Sequence, residues 1–264
     1  MRSLAFMFKK ISKFFLDLFF PKKCLGCGKS GAYICQPCLE KIEIAKDNRC
    51  PICGKISPNS AICHKCQEKY FLNRLIWAVP YSNSLIKNLI KVFKYHYIKE
   101  LAGPLSKLLI KSLETFNFEL PALPVRPEGG PAGRLTFSFT VIPIPLHKQR
   151  LRFRGFNQAE LLAKEVAEHF SIPLETNVLE RTRAVLAQAK IKNHKDRKEN
   201  IKNIFKINSE FIKKCVKEGK NLLKNKIIIL VDDVATTNAT LSEAAKVLKE
   251  AGAKEVWGLV VAKG

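Results

Sequence analysis

Apolar positions change their rhythm three times along the chain. Between residues 4 and 20, Leu4, Phe8, Ile11, Phe15, Leu18 and Phe19 recur at close to helical spacing, with Lys9, Lys10 and Lys13 mostly off that stripe. This predicts an amphipathic N-terminal helix over residues 1–23. Its apolar face is expected to pack on the rest of the protein, with peripheral contact to an anionic membrane surface as the alternative. Lys and Asp17 interrupt the stretch and no small-residue cleavage site follows, so it does not read as a secretory signal. After residue 70 comes an apolar run, Leu75 to Val79. Two segments of helical spacing follow, Ser84 to Tyr95 and Ile98 to Leu113, with Gly103-Pro104 as an early break or a second helix start.

The third rhythm begins at Thr140. A short strand over Val141 to Pro145 precedes a helix over Asn157 to Phe170, and a further strand is expected within Ile172 to Leu179. Arg181 to Lys202 is polar and basic and reads as a mobile loop. Lys226 to Val231 is almost wholly apolar, as in a strand buried on both faces. A helix over Leu241 to Ala251 stops at Gly252, and Val256 to Ala262 forms a last buried strand. Strands alternating with helices predict an α/β fold with a mostly parallel sheet. Leu120 to Arg134 breaks the pattern with four prolines and three glycines, and no lysine occurs between Lys111 and Lys148. Residues 117–140 are therefore expected to be a loop or insertion without a packed core.

At 264 residues and 47% hydrophobic content the chain can bury a core, and it has no uninterrupted apolar run long enough to span a membrane. Its 46 Lys and Arg against 23 Asp and Glu give a net charge of +23, and only residues 227–264, with four basic and five acidic side chains, escape the excess. A polyanionic partner is one reading, a solubilising surface the other.

Eight of the nine cysteines form four Cys-x-x-Cys pairs, Cys24/Cys27, Cys35/Cys38, Cys50/Cys53 and Cys63/Cys66. Such spacing in a chain without a secretory signal points to thiolate metal sites in a reducing, cytoplasmic compartment rather than to disulfides. Zinc takes four thiolates in a tetrahedron, and a two-residue spacer lets one turn supply two. Eight ligands make two structural zinc ions over residues 24–70. The spacing allows sequential tetrads (Cys24, Cys27, Cys35, Cys38 and Cys50, Cys53, Cys63, Cys66) or interleaved ones. Gly28 and Gly54 suit knuckles whose backbone curls under the metal and donates to sulfur. His64 could in principle replace a ligand, and Cys215 reads as incidental. So small a segment has too little apolar content to fold alone, and metal should supply its folding energy.

The strongest chemical signal is the run from Ile227 to Leu241. A buried strand enters two acids, Asp232 and Asp233, then a loop of small and hydroxyl residues, Ala235, Thr236, Thr237, Asn238, Ala239 and Thr240, and then a helix. Backbone amides of such a loop close around an anion, and the helix start adds its dipole. Thr240-x-x-Glu243 has the form of a capping box and would mark that start. The two acids fit sugar hydroxyls or Mg²⁺ better than phosphate. Arg150, Arg152 and Arg154, ending at Gly155 before a helix, read as a second anion site. The alternatives are a solvated basic turn or a strand with one wet face. His147 reads as a loop residue rather than a base.

The Ile227–Leu241 run resembles the phosphoribosyl pyrophosphate (PRPP) loop of type I phosphoribosyltransferases. Asn238 stands where glycine is usual, and asparagine is the next residue to tolerate a left-handed backbone. Val141 to His147, Arg150 to Gln158, Leu161-Leu162-Ala163, Gln188, Arg197, Asn200, Phe205, Tyr81, Lys94 and the cysteine pairs look like the ComF family. That resemblance implies a type I phosphoribosyltransferase fold over residues 71–264, preceded by a small double zinc ribbon, in a protein linked to natural competence. Carried over by position, Asp232 and Asp233 would hold ribose and Mg²⁺, Ala235 to Thr240 the 5′-phosphate, and Arg150, Arg152, Arg154 and Gly155 the pyrophosphate. The basic loop from Gln188 to Asn200 could close over them. Three functions are then open. The first is transfer of ribose from PRPP to an acceptor nitrogen. The second is binding of single-stranded DNA, with Phe153, Phe156, Trp77 or Tyr95 stacking on bases. The third is a scaffold in a DNA-uptake complex, the ribbons docking a helicase-like partner. The final strand is expected to lie close to Gly264, so acceptor specificity would have to come from the zinc-ribbon and helical N-terminal half, or be absent.

Overall fold

The structure is a computed structural model, described for residues 21–46, 48–115, 138–182 and 203–264. The expected N-terminal helix, most of the Pro/Gly-rich stretch, and Gln188, Arg197 and Asn200 fall outside the described residues. No helix among the described residues is long and apolar enough to cross a membrane.

The elements in order are α1 (Gln36–Glu40), α2 (His64–Gln67), β1 (Arg74–Pro80), α3 (Ser84–Tyr95), α4 (Ala102–Thr115), β2 (Phe139–Pro143), α5 (Lys148–Arg154), α6 (Gln158–Phe170), β3 (Leu179–Arg181), β4 (Phe205–Ile207), α7 (Ser209–Lys217), β5 (Ile227–Ala235), α8 (Ala239–Glu250) and β6 (Glu255–Lys263). Four strands form one parallel sheet in the order β1-β6-β5-β2, with Val141 opposite Ile229 and Ile229 opposite Trp257. β3 and β4 pair antiparallel beside it.

The run of isoleucines in β5 serves both faces of the sheet, because successive strand side chains point to opposite sides. Ile227, Ile229 and Val231 join one core with α3, α4 and α6, while Ile228 and Leu230 join a second core with α8 and β4. The two ribbons divide in the same way. Ile34, Leu39 and Ile42 of the first pack into the α3/α4 core, and Cys50, Ile62 and Cys66 of the second pack with Leu72 and Leu75 in the other. The ribbon residues thus lean on the sheet domain as well as on their sulfur clusters.

Of the two readings of Gly103-Pro104, a break or a helix start, the structure takes the second: both lie in the first turn of α4, where a missing amide costs nothing. Other expectations need correction. The strand expected in 172–179 is only an isolated bridge from Leu174 to Val141, with β3 beginning at Leu179. Arg150, Arg152 and Arg154 lie on helix α5, not on a strand or turn; Gly155 (φ 76°) ends that helix and, as expected, comes just before the start of the next, α6. Thr240 is not a cap. α8 begins at Ala239 after Asn238, and Glu243 accepts from the Asn203 amide in place of closing a capping box.

Candidate functional site

The cysteines form two sequential tetrads, Cys24, Cys27, Cys35, Cys38 and Cys50, Cys53, Cys63, Cys66, the sulfurs of each within 4.8 Å of one another. This settles the choice against interleaving. Cys27 and Cys53 lie 3.6 Å from Cys35 and Cys63 respectively, close to the ~3.8 Å between sulfurs at 2.3 Å from a tetrahedral zinc. Gly28 and Gly54 adopt φ of 76° and 73°, and their amides return to the carbonyls of Cys24 and Cys50 at 2.8 and 2.9 Å. The donors to sulfur are other amides, those of Gly26 and Cys35 to Cys24 and of Cys63 to Cys50. Burial raises the Cys24 and Cys50 thiols, but these amides outweigh it and bring them down to about 6 and about 7. Crowding by the Cys35 and Cys27 thiols pushes Cys38 up to about 12. Burial, then the Cys63 and Cys53 thiols, do the same to Cys66. Four sulfurs held this closely fit a cation that offsets their repulsion. His64 is exposed and faces Glu68, outside the tetrad.

The second site is a cavity of about 660 Å³ at the carboxyl ends of β2 and β5. The chain leaves β2 toward α6 on one face of the sheet and leaves β5 into α8 on the other, which opens a crevice between these strand ends. Asp232 and Asp233 sit near the end of β5, a strand that runs four residues further than its apolar core. Asp233 is buried, with Oδ2 2.6 Å from Lys94 Nζ, while Asp232 is half-buried and its Oδ1 accepts from the Asp233 amide at 2.8 Å. That ion pair falls outside directed hydrogen-bond geometry. Burial, reinforced by the Asp233 charge, pushes Asp232 up to about 8. Asp233 feels the same burial, but Lys94 overrides it and holds Asp233 below the usual carboxylate range.

The loop then turns on Asn238, which has φ 58° and is 8% exposed. This is the left-handed conformation that glycine or asparagine tolerates, as expected from its place in the sequence. Its side-chain Oδ1 has no hydrogen-bond partner among the described residues. Facing the loop, α5 contributes Arg150 and Arg154, and β3 contributes Arg181. Burial lowers the Arg154 and Arg181 pKa values, and the neighbouring Arg150 charge adds to this in both. Arg181 Nε finds no hydrogen-bond partner among the described residues. Three guanidinium groups are thus brought together around one cavity, as an anion site requires.

The cavity gathers Asp232, Asp233, Ala235, Thr236, Thr237, Asn238, Ala239, Thr240, Arg150 and Arg154; Arg152 and Gly155 lie outside its lining. Lys94, Tyr81, Arg181 and Tyr97 are added. Sequence reasoning does not single out Arg181 or Tyr97 for this site. Arg181 is the first residue of a basic stretch that reads as loop, and only the apolar Val178-Leu179 before it hints at a strand. Of the aromatics considered for stacking, Trp77 and Phe156 are core residues, while Tyr95 and Phe153 line the cavity. His147 caps α5, its Nδ1 accepting from the Gln149 amide.

Residues 15–67 match the double zinc ribbon domain family and residues 157–263 the phosphoribosyl transferase domain family. The DNA utilization protein YhgH of Shigella flexneri is 30% identical over 86% of this chain and 89% of its own. This chain belongs to the ComF family. Competence protein F of Haemophilus influenzae is 29% identical, covering 85% of this chain and 95% of its own. Competence protein ComFC of Bacillus subtilis is 27% identical, covering 83% and 79%. In this ComF-family chain the ribbon match contains both cysteine tetrads, and the transferase match contains β5, the Asp232-Asp233 pair and the loop to α8.

Proposed function

We propose that the cavity binds PRPP or a related sugar phosphate together with Mg²⁺, in a protein that serves the uptake or use of external DNA. The observation that carries this is the turn at Asn238. It brings the chain from the two acids at the end of β5 to the start of α8 in five residues, opposite a cluster of arginines. Amides from Ala235 to Thr240 and the hydroxyls of Thr236, Thr237 and Thr240 suit a 5′-phosphate. Arg150 and Arg154, joined by Arg181, suit the pyrophosphate, and Arg152 and Gly155 are dropped from that role. Asp232 and Asp233 offer the hard oxygen donors that Mg²⁺ takes, and the ion would neutralise part of the pyrophosphate charge. Ribosyl transfer on such a site would rest on positioning and on arginine support of the leaving pyrophosphate.

The DNA connection rests on the names of the relatives, competence and DNA utilization proteins, and on the net charge of +23. That charge favours a second reading, in which the cavity takes the sugar-phosphate of single-stranded DNA without turnover. Calorimetric titration of PRPP with Mg²⁺ into the zinc-loaded protein tests the first reading. Saturable heat in the wild type, lost in Asp232→Asn, is the expected result. No heat in the wild type overturns it.

A further inference from the structure

The rim of the cavity carries three large aromatic side chains that its sugar-phosphate role does not use. Phe153, in the last turn of α5, is 81% exposed. Tyr95, at the end of α3, is 64% exposed, and Tyr97, just beyond it, 39%. All three line the cavity. Tyr97 and Phe153 meet edge to face with ring centroids 6.1 Å apart, so two separate helix ends place their rings together. Tyr97 does so from a left-handed backbone, φ 59°, which is costly for an aromatic residue and marks a fixed bend rather than a trailing helix end.

Exposed aromatic surface of this size is unfavourable in water and is found where a flat apolar group docks. The surrounding charge narrows the choice. Arg154, adjacent to Phe153, lies close enough to Tyr95 and Tyr97 for both phenols to bear on its pKa. Lys94, adjacent to Tyr95, is fixed by Asp233. Rings interleaved with cations at the mouth of an anion-binding cavity suit a planar group carried on a phosphate backbone. An apolar protein segment would leave the arginines unmatched, and a bare sugar phosphate would leave the rings wet.

We propose that Tyr95, Tyr97 and Phe153 form a stacking platform for a nucleobase whose attached phosphate is drawn to the Arg150/Arg154/Arg181 side of the cavity. The inference rests on the sugar-phosphate reading of that cavity but adds a recognition element for the base. The base could arrive on a free nucleotide or within a single strand, since both present the same π-face next to a phosphate. Phe153 and Tyr97 are positioned to contact the ligand directly. Tyr95 widens the surface.

The test uses the full chain with zinc bound and four ligands: a twelve-residue thymidine oligonucleotide, an abasic oligonucleotide of the same backbone, thymidine 5′-monophosphate, and PRPP with Mg²⁺. The wild type should bind the thymidine strand about tenfold or more tighter than the abasic strand, the gain expected of one or two stacked bases. Phe153→Ala and Tyr97→Ala should each erase most of that ratio, and Phe153→Ala should leave PRPP binding within about twofold. Phe153→Leu, which keeps apolar bulk but loses the flat ring, should behave like Phe153→Ala, and unchanged thermal unfolding of all three variants shows that the fold is intact. If the monophosphate shows the same loss, the platform serves free nucleotides; if only the strand does, it serves single strands. Equal binding of the thymidine and abasic strands by the wild type, or a ratio that survives both alanine variants, overturns the platform even where PRPP binds. Failure of PRPP alone, with the base-dependent ratio intact, overturns the sugar-phosphate reading and leaves the platform standing.

Discussion

Lys94 Nζ lies 2.6 Å from Asp233 Oδ2, joining the end of α3 to the strand that feeds the anion loop. The carboxylate is 3% exposed and the lysine side chain 21%, so each charge depends on the other. Removing one partner of such a pair strands the other, whereas removing both leaves little to solvate. Lys94→Met should cost about 2–4 kcal/mol in urea denaturation at pH 7, and Lys94→Met/Asp233→Asn should recover much of that loss. The Asp233 contribution is present above the ordinary carboxylate pKa of about 3.9 and is lost as pH falls through its depressed folded value. The gap between wild type and Lys94→Met should therefore close in acid. A double variant as unstable as the single one would show that the contact is incidental.

Asp232 has the opposite linkage. Burial and the Asp233 charge push it up to about 8, so the folded protein holds a proton there that the unfolded chain has given up. Its contribution to stability therefore falls as pH rises from about 4 to about 8, because the unfolded state binds fewer protons across that window. Asp232→Asn should flatten this slope and make the unliganded protein more stable than wild type at pH 9. The same proton must leave before the carboxylate can meet a cation, so Mg²⁺–PRPP affinity should climb with pH up to about 8. Equal unfolding free energies for wild type and Asp232→Asn at pH 9 would contradict the assignment.

Zinc should be found at about two ions per chain by elemental analysis, one for each tetrad. Gly26 gives a local test. A methyl group there would come within 2.9 Å of Cys38 Sγ and 3.2 Å of its Cβ. Gly26→Ala should therefore loosen the first tetrad and release one equivalent of metal to a chelating dye faster than the other. Because Leu39 and Ile42 of that ribbon lie in the α3/α4 core, chelation should also lower the unfolding temperature of the whole protein. Unchanged release kinetics from Gly26→Ala would refute the contact.

Much of this site is legible in the sequence because its chemistry is local. Two-residue cysteine spacers fix which sulfurs can share a turn, and an apolar run ending in two acids fixes where the chain leaves the sheet. Asn238 is expected to turn left-handed because few other residues can. Relations that local spacing does not encode are another matter. Arg150 to Arg154 alternate with Leu151 and Phe153 in a way that fits a strand with one wet face as readily as a turn. Only its place after β2, capped by His147 and Gly155, makes the segment helical. Arg181 reaches the cavity because β3 pairs with β4, a contact between segments far apart in sequence. The capping box at Thr240 fails because Glu243 finds a tertiary partner, the Asn203 amide.

Asn238 offers the last test, since two costs meet at one residue. A left-handed backbone costs an ordinary L-residue roughly 1 kcal/mol, a cost asparagine reduces and glycine avoids. Its buried Oδ1 also lacks a partner among the described residues, which costs about 1–3 kcal/mol unless a ligand meets it. Asn238→Gly removes both and should leave the unliganded protein as stable as wild type or up to about 1–2 kcal/mol more so. Asn238→Ala removes the orphan oxygen but keeps the strain, and should fall below Asn238→Gly by about 1 kcal/mol. Asn238→Val adds a β-branch at positive φ and should distort the start of α8 enough to weaken PRPP binding at least tenfold. Thermal unfolding and PRPP titration of the three variants give the ranking. If Asn238→Ala equals Asn238→Gly in stability, the turn is not held left-handed in solution, and the amide cradle for phosphate loses its geometric basis.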